Sequence, residues 1–300
     1  MMRPLLAPSQ VPSNYPKYWE KLQYPLLGSP KYDGIRGILS DTQEAMSRTW
    51  KPLPSVQVQE MAAEMPPWID GEWMEGNPTD FDVYNRTQSF VMSESKFSPD
   101  LHLYAFDYAN PEWHGLDYLV RLEELKRLLT GHPYVTIVEQ RLLKNQAEVL
   151  EFENECLEAG FEGIMLRTPG GRYKTNRATI NEGIIYKLKR FEDAEGVVVG
   201  FVERNINNNA QTTDERGYAK RSSHQANKQA AGTLGKFKVE FQGQIINVGP
   251  GTFKHVELQE IWDNQDTYLQ RLLKFKYFAH GVKDQPRHAR ARGWRDPIDL

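Results

Sequence analysis

The sequence predicts an α+β chain of two domains, a mixed domain with antiparallel-rich sheets over residues 1–190 and a β-rich domain over 191–300. Three observations predict it. Short β-like runs alternate with helical ones up to about Arg190. The pattern changes at Phe191-Glu192-Asp193-Ala194, beyond which short strands follow one another with little helix. A length of 300 residues, 39% hydrophobic and 26% charged, is that of a globular chain with material for about two cores.

In the first domain, runs at 28–32, 37–40, 68–74, 101–106, 163–167 and 184–189 read as strands. Helices are expected at 56–65, 116–129 and 146–159. Leu119, Leu122, Leu125 and Leu129 recur at spacings of three and four, which gives the second of these helices one apolar face. In the second domain, strands are expected at 197–202, 235–241, 244–248 and 272–278, with a helix at 254–262. About 110 residues of short strands fit a small barrel such as an OB-fold. The stretch 204–232 interrupts this pattern. It is rich in Asn and Gln and holds few large apolar residues, so it is expected to be mobile or to fold on a partner.

Composition narrows the function. The formal charge is -3, so no global basic field advertises nucleic-acid binding. From Arg271 to Leu300, however, eight Lys/Arg stand against three Asp/Glu, a local basic surface able to grip phosphates. The single cysteine, Cys156, excludes a disulfide framework and a cysteine-rich zinc site, and it reads as a buried structural residue. No apolar run near the start is long enough for a signal peptide and no segment could span a membrane, so an intracellular protein is expected. No P-loop and no Gly-x-Gly-x-x-Gly opens a helix. Ser222 and His224 have no acid arranged around them, which speaks against a hydrolase triad.

The stretch that carries chemistry is Lys31-Tyr32-Asp33-Gly34-Ile35-Arg36, with a lysine two residues before an acid and five before an arginine, across an expected tight Asp-Gly turn. A lysine near cationic or desolvating neighbours can lose its proton and attack an electrophile. Four such fixed positions arise by chance in roughly one chain of this length in a few hundred, so companions are needed. Trp68-Ile69-Asp70-Gly71-Glu72 puts Glu72 at the end of an apolar strand, either holding a ribose hydroxyl or a magnesium ion, or solvated in a hairpin turn. In the aromatic run Leu103–Tyr108 one ring could stack on a base, although core packing is the commoner fate. Glu162 opens another buried-looking strand, or is an ordinary exposed acid at a helix-to-strand turn. Alternation puts Lys187 and Lys189 on one strand face, with Tyr186 and Leu188 on the other. Two lysines side by side repel unless an anion lies between them, and a phosphate is the natural guest; a solvated strand face is the alternative.

In order and character these segments resemble the motifs of the covalent nucleotidyltransferases, in particular the small ATP-dependent DNA ligases of algal-virus and phage type. The resemblance covers nearly the whole chain. It implies an adenylation domain over 1–190 and an OB-fold domain over 191–300. Lys31 matches the lysine that becomes adenylated, Asp33 the acid at the DNA 3′ end, and Arg36 the arginine on the nucleotide ribose. Arg48, after Ser47, matches an arginine on the nick phosphate and joins the nucleotide-contacting set. Glu72, Phe106 and Glu162 match the ribose or metal acid, the adenine-stacking aromatic and the second metal acid. Arg177 matches an arginine that reads the 5′-phosphate, and Lys187 and Lys189 a lysine pair on the α-phosphate. Near the C-terminus Arg295, with Arg290 and Arg292 close by, matches an arginine that orients pyrophosphate.

The segment 217–224, with Lys220 and Arg221, falls where minimal viral ligases carry a DNA-clamping latch, here the insertion 204–232. The resemblance further implies ATP, Mg2+ or Mn2+, nicked duplex DNA as partner, and a monomer. Lacking the cysteines of the NAD-dependent zinc module, the chain points to ATP. An RNA ligase and a GTP-using mRNA capping guanylyltransferase share the lysine motif, and a nucleic-acid-binding OB protein with a decayed transferase domain is the non-enzymatic alternative. Glu-Gly-Ile-Met-Leu-Arg at 162–167 and the latch-like loop favour the ligase, and the intact lysines and acids speak against decay.

Overall fold

Alternating apolar residues in the first 190 positions form two main sheets, and the chain crosses between them at the Lys31 segment. The computed structural model describes residues 3–9, 16–80, 82–208, 211–213, 219–221, 228–278 and 286–295. The chain divides into two compact units, Met1–Arg190 and Phe191–Leu300.

In the first unit a five-stranded sheet runs in the order Ala45–Met46, Ile35–Leu39, Ile69–Glu75, Leu101–Tyr108, Val135–Ile137, antiparallel except for the last pair. A second sheet, antiparallel throughout, has the order Ile185–Leu188, Ile164–Arg167, Leu26–Pro30, Arg141–Leu143. The N-terminal strand Leu5–Leu6 pairs in parallel with Asn176–Arg177.

Helices Val56–Ala63 and Tyr118–Leu129 cover the first sheet, burying Val58, Met61, Leu122, Leu125 and Leu129 with Trp73, Leu103 and Ala105. Gln146–Glu158 covers the second sheet with Val149 and Cys156 against Leu26, Leu143, Ile164 and Leu188. Side-chain caps fix two helix starts: Ser55 accepts from the Val58 amide and Asn145 from the Glu148 amide. A third buried cluster joins Ile38 of the first sheet, Ile185 of the second, Leu5 and Tyr173.

Several expectations are corrected. The expected tight turn at Asp33-Gly34 is only a bend at Gly34 in a crossover, since Leu26–Pro30 and Ile35–Leu39 belong to different sheets. Residues 31–34 are the crossover, which carries Lys31 to the space between the sheets. Leu119 is 44% exposed; Tyr118 and Arg121 turn inward beside the three buried leucines, since the Arg121 guanidinium finds a buried acid partner. Helix Val83–Val91 was not expected, because its buried face of Val83, Thr87 and Val91 has a polar residue at its centre.

The second unit holds a five-stranded antiparallel sheet in the order Gln244–Val248, Lys228–Phe241, Glu192–Asn207, Leu272–Phe278, Arg287–Trp294. Val198, Phe237, Val239, Val248, Leu273 and Phe275 form its core with Leu258 and Ile261 of helix His255–Asp263. Along the last strand Ala289 and Ala291 are buried while Arg290 and Arg292 are exposed. The two edge strands meet at one parallel bridge, Gly249↔Arg290, where the Gly249 amide donates to the Ala289 carbonyl at 2.9 Å. No longer ladder closes the sheet among the described residues.

The flanks of the 204–232 stretch are strand rather than loop: Asn205, Ile206 and Asn207 pair with Ala230, Gln229 and Lys228. Asn and Gln need no core to pair through their backbones. Within the stretch, Gln211–Thr213 pairs with Ala219–Arg221, the strand that holds Lys220 and Arg221; residues 209–210, 214–218 and 222–227 lie outside the described residues. No described helix is long and apolar enough to cross a membrane.

Candidate active site

Between the two sheets of the first unit lies a cavity of about 520 Å³, the size of a small-ligand pocket. Lys31 stands in its wall, just past strand Leu26–Pro30. Its amide donates to the Gly163 carbonyl at 2.9 Å, and its Nζ donates to Glu162 Oε2. Lys189 Nζ meets the other oxygen of Glu162, so one buried carboxylate bridges two lysines that lie far apart in sequence.

Two glycines permit this approach. A Cβ on Gly34 would run into the Trp73 carbonyl, and one on Gly163, at φ 146°, into the Leu188 carbonyl. Gly34 lets the crossover lie against strand Ile69–Glu75. Gly163 lets Glu162 enter beside the end of strand Ile185–Leu188.

The opposite wall comes from the five-stranded sheet. Glu72 is not at a strand end, as expected, but in the middle of Ile69–Glu75, where Arg36 is its partner across the ladder. Asp70, two residues earlier, points the same way and takes Arg36 in a bidentate pair, Nε at 2.5 Å and NH2 at 2.7 Å. Phe106 falls at a register shift opposite Asp70 and Gly71. Such a bulge re-aims side chains, and Phe106 lines the pocket, half-buried, with the Arg36 guanidinium 4.5 Å from its ring centre.

Burial raises the Glu72 carboxyl to about 7, with the nearby acids Asp33 and Asp70 adding to the effect and Arg36 and Lys31 opposing it. Lys187 also lines the pocket, and burial, reinforced by Arg177, Lys31 and Arg48, lowers it to about 8. A carboxyl and an amine that both titrate near neutrality in one cleft are the mark of a site that binds charge.

Of the other expected residues, Arg48 and Arg177 are exposed at the rim of the same pocket. Arg177 also donates to the Ala7 carbonyl at 2.7 Å. Asp33 lies half-buried in the crossover. Arg295 belongs to the second unit, where it donates to Glu195 at 3.0 Å, and Lys220 and Arg221 belong to that unit too.

Sequence reasoning missed the N-terminal residues Leu5, Leu6 and Ala7, which line the pocket; a two-residue strand has no period to detect. It also missed Tyr32, stacked on Tyr104 at 4.6 Å, and the fully buried acids Asp70 and Asp107. Asp107 receives Arg121 and Arg167, at 2.8 and 2.7 Å, behind the pocket. The signal for both acids was a charge placed inside an apolar strand.

Comparison with known proteins places this architecture. Residues 4–189 match the family model for the ATP dependent DNA ligase domain. The DNA ligase of Haemophilus influenzae is 28% identical over 178 residues, 57% of this chain; the chain spans 60% of that relative's length. The Chlorella virus DNA ligase-adenylate crystal structure is 28% identical, with 98% of each chain covered and a TM-score of 0.55. A Lig E DNA ligase structure, 22% identical, covers 98% of this chain and all of its own at a TM-score of 0.73, a likeness of fold. The fold of the first unit is thus that of the nucleotidyltransferase-type ligases. Within that class, the chain belongs to the ATP-dependent DNA ligase family.

Proposed function

We propose that this chain seals 3′-hydroxyl/5′-phosphate nicks in duplex DNA with ATP, through a Lys31-AMP intermediate and a DNA-adenylate, acting as a monomer. The observation that carries the reading is the meeting of Lys31, held by Glu162, with Glu72 and Phe106 of the first sheet and Lys187 of the second. Lys31 Nζ, as the free amine steered by Glu162, attacks the α-phosphorus of ATP, and pyrophosphate leaves. The nick 5′-phosphate oxygen then attacks the adenylate and frees Lys31. Finally the 3′-hydroxyl attacks the activated 5′-phosphate and AMP leaves. Each step asks the protein for in-line positioning and countercharge. Lys187 and Lys189 supply countercharge at the α-phosphate, Phe106 the face for adenine, and Arg36 and Glu72 the ribose contacts. Arg48 and Arg177 at the rim take the nick phosphates, and Asp33 the 3′ end.

Among the described residues no three His, Cys, Asp or Glu side chains converge on a metal site. One or two carboxylates completed by substrate phosphates suit Mg2+ or Mn2+, and Glu72 fits that part. Both oxygens of Glu162 are held by lysines, so Glu162 serves a metal only after a lysine leaves it. When bound, the ion neutralises phosphate charge. The second unit we read as an OB-fold domain, on its five strands and the bridge between their edges. Its Arg295 would orient pyrophosphate during adenylation, and its 204–232 arm, with Lys220 and Arg221, would clamp the duplex.

The test uses ATP or GTP labelled at the α-phosphate, followed by nicked DNA or nicked RNA. Label taken from ATP and passed to the 5′ end of nicked DNA supports the reading. Label from GTP, or transfer to RNA alone, overturns it.

A further inference from the structure

The N-terminal strand is tied into the pocket by a closed ring of hydrogen bonds. The Leu5 amide donates to the Tyr173 hydroxyl at 3.2 Å, and that hydroxyl donates to Asp70 Oδ2 at 2.7 Å. Asp70 holds Arg36 bidentately, and Arg36 NH2 returns to the Leu5 carbonyl at 3.4 Å. Leu5 and Asp70 are fully buried and Tyr173 is 3% exposed, so each group in the ring depends on the others for its partner. The Tyr173 ring is itself held by stacking on His114, 4.8 Å between centres.

The strand continues to a second arginine. Carbonyls two residues apart in an extended strand face the same way. The Leu5 carbonyl takes Arg36 and the Ala7 carbonyl takes Arg177, while the Leu6 carbonyl faces the other way and accepts the Ala178 amide at 2.8 Å. Arg36 and Arg177, 141 positions apart, thus hang on one short strand that also walls the pocket.

We infer that Leu5–Ala7 is a positioning element of the adenylation site, and that Tyr173 is the positioning residue that locks it to Arg36 through Asp70. The inference rests on the reading of this cleft as the nucleotide pocket. Tyr173 does not itself line the pocket and reaches it through its ring partners, Asp70 with Arg36 on one side and Leu5 on the other. Its loss therefore weakens ground-state binding of the nucleotide and leaves the attack of Lys31 intact. Because Arg177 shares the strand, nick binding weakens as well.

The experiment is Tyr173→Phe in the full chain, measured by single-turnover self-adenylation over a range of ATP concentrations. The ring and its stacking remain while the hydroxyl is lost. The half-saturating ATP concentration is expected to rise about tenfold, with the rate at saturation within twofold of wild type. Pre-adenylated enzyme is expected to bind nicked DNA about three- to tenfold more weakly. In the Arg36→Ala/Tyr173→Phe double variant the effect of Tyr173→Phe should largely vanish, because both act through one ring. A half-saturating concentration within twofold of wild type, or fully additive effects in the double variant, overturns the inference. Falling rate at saturation with unchanged half-saturation would also overturn it, by placing Tyr173 in the chemical step. Wild-type self-adenylation run alongside separates this failure from a failure of the ligase reading, under which the wild type would take up no label.

Discussion

Nucleotide affinity should pass through a maximum between about pH 7 and pH 8, and two side chains should set its two limbs. Glu72, raised from 4.5 to about 7, must be ionised to accept a ribose hydroxyl or hold a cation. Lys187, lowered from 10.5 to about 8, must be protonated to hold a phosphate. Below pH 7 binding must first strip a proton from Glu72, which costs about 1.4 kcal/mol, or tenfold, per pH unit. Above pH 8 binding must return a proton to Lys187 at the same cost per unit. Affinity at pH 6 and at pH 9 should each lie up to about tenfold below the maximum.

The assay is calorimetric titration of the wild-type chain, at saturating magnesium, with an ATP analogue carrying a methylene bridge between the α and β phosphates, which Lys31 cannot cleave. The terminal phosphate of the analogue titrates on the acid side as well, so each limb is judged by comparison with a variant. Glu72→Gln should flatten the acid limb and Lys187→Arg, always charged, the alkaline limb. A flat profile from pH 6 to pH 9, or limbs that ignore both substitutions, would refute this assignment of charge in the cleft.

Two further perturbations test the frame and the clamp. Asp107→Asn strips the charge from a fully buried acid that receives both Arg121 and Arg167, and should lower stability by about 3–5 kcal/mol. Arg86→Ala removes a partly exposed guanidinium shared by Asp80, Asp82 and the more buried Glu75 and should cost less, about 1–2 kcal/mol, so urea unfolding that ranks the two the other way would contradict this reading. Replacing residues 208–227 by a short turn, which keeps the pairing of Asn205 to Asn207 with Lys228 to Ala230, should weaken nick binding and spare self-adenylation. Equal loss of both steps would count against a clamp.

The sequence was most legible where local pattern and chemistry coincide. The alternation around Lys187 put Tyr186 and Leu188 on the face away from the lysines, and both are buried; the three-four spacing of Leu122, Leu125 and Leu129 is the buried face of its helix. What was hidden depends on partners far along the chain. Glu162 and Lys189 meet only because two strands of the second sheet come together, and nothing near Lys31 says which acid will sit against it. Asp70 carried no sign of its role because its partners Arg36 and Tyr173 lie 34 and 103 residues away. Leu119 is exposed where the spacing put it on the apolar face, and Arg121 is buried because its guanidinium meets an acid there. The 204–232 stretch misled in the other direction. Poor in apolar residues, it gave no sign that its flanks continue two long strands.

The ligase reading of this cleft stands or falls with Lys31 as the nucleophile on ATP. Its most direct test is incubation with ATP and magnesium, then peptide mapping by mass spectrometry beside the Lys31→Ala variant. One adenylate attached to Lys31 is expected in the wild type and none on the variant. An adenylate on another residue, or one that persists in Lys31→Ala, would contradict it.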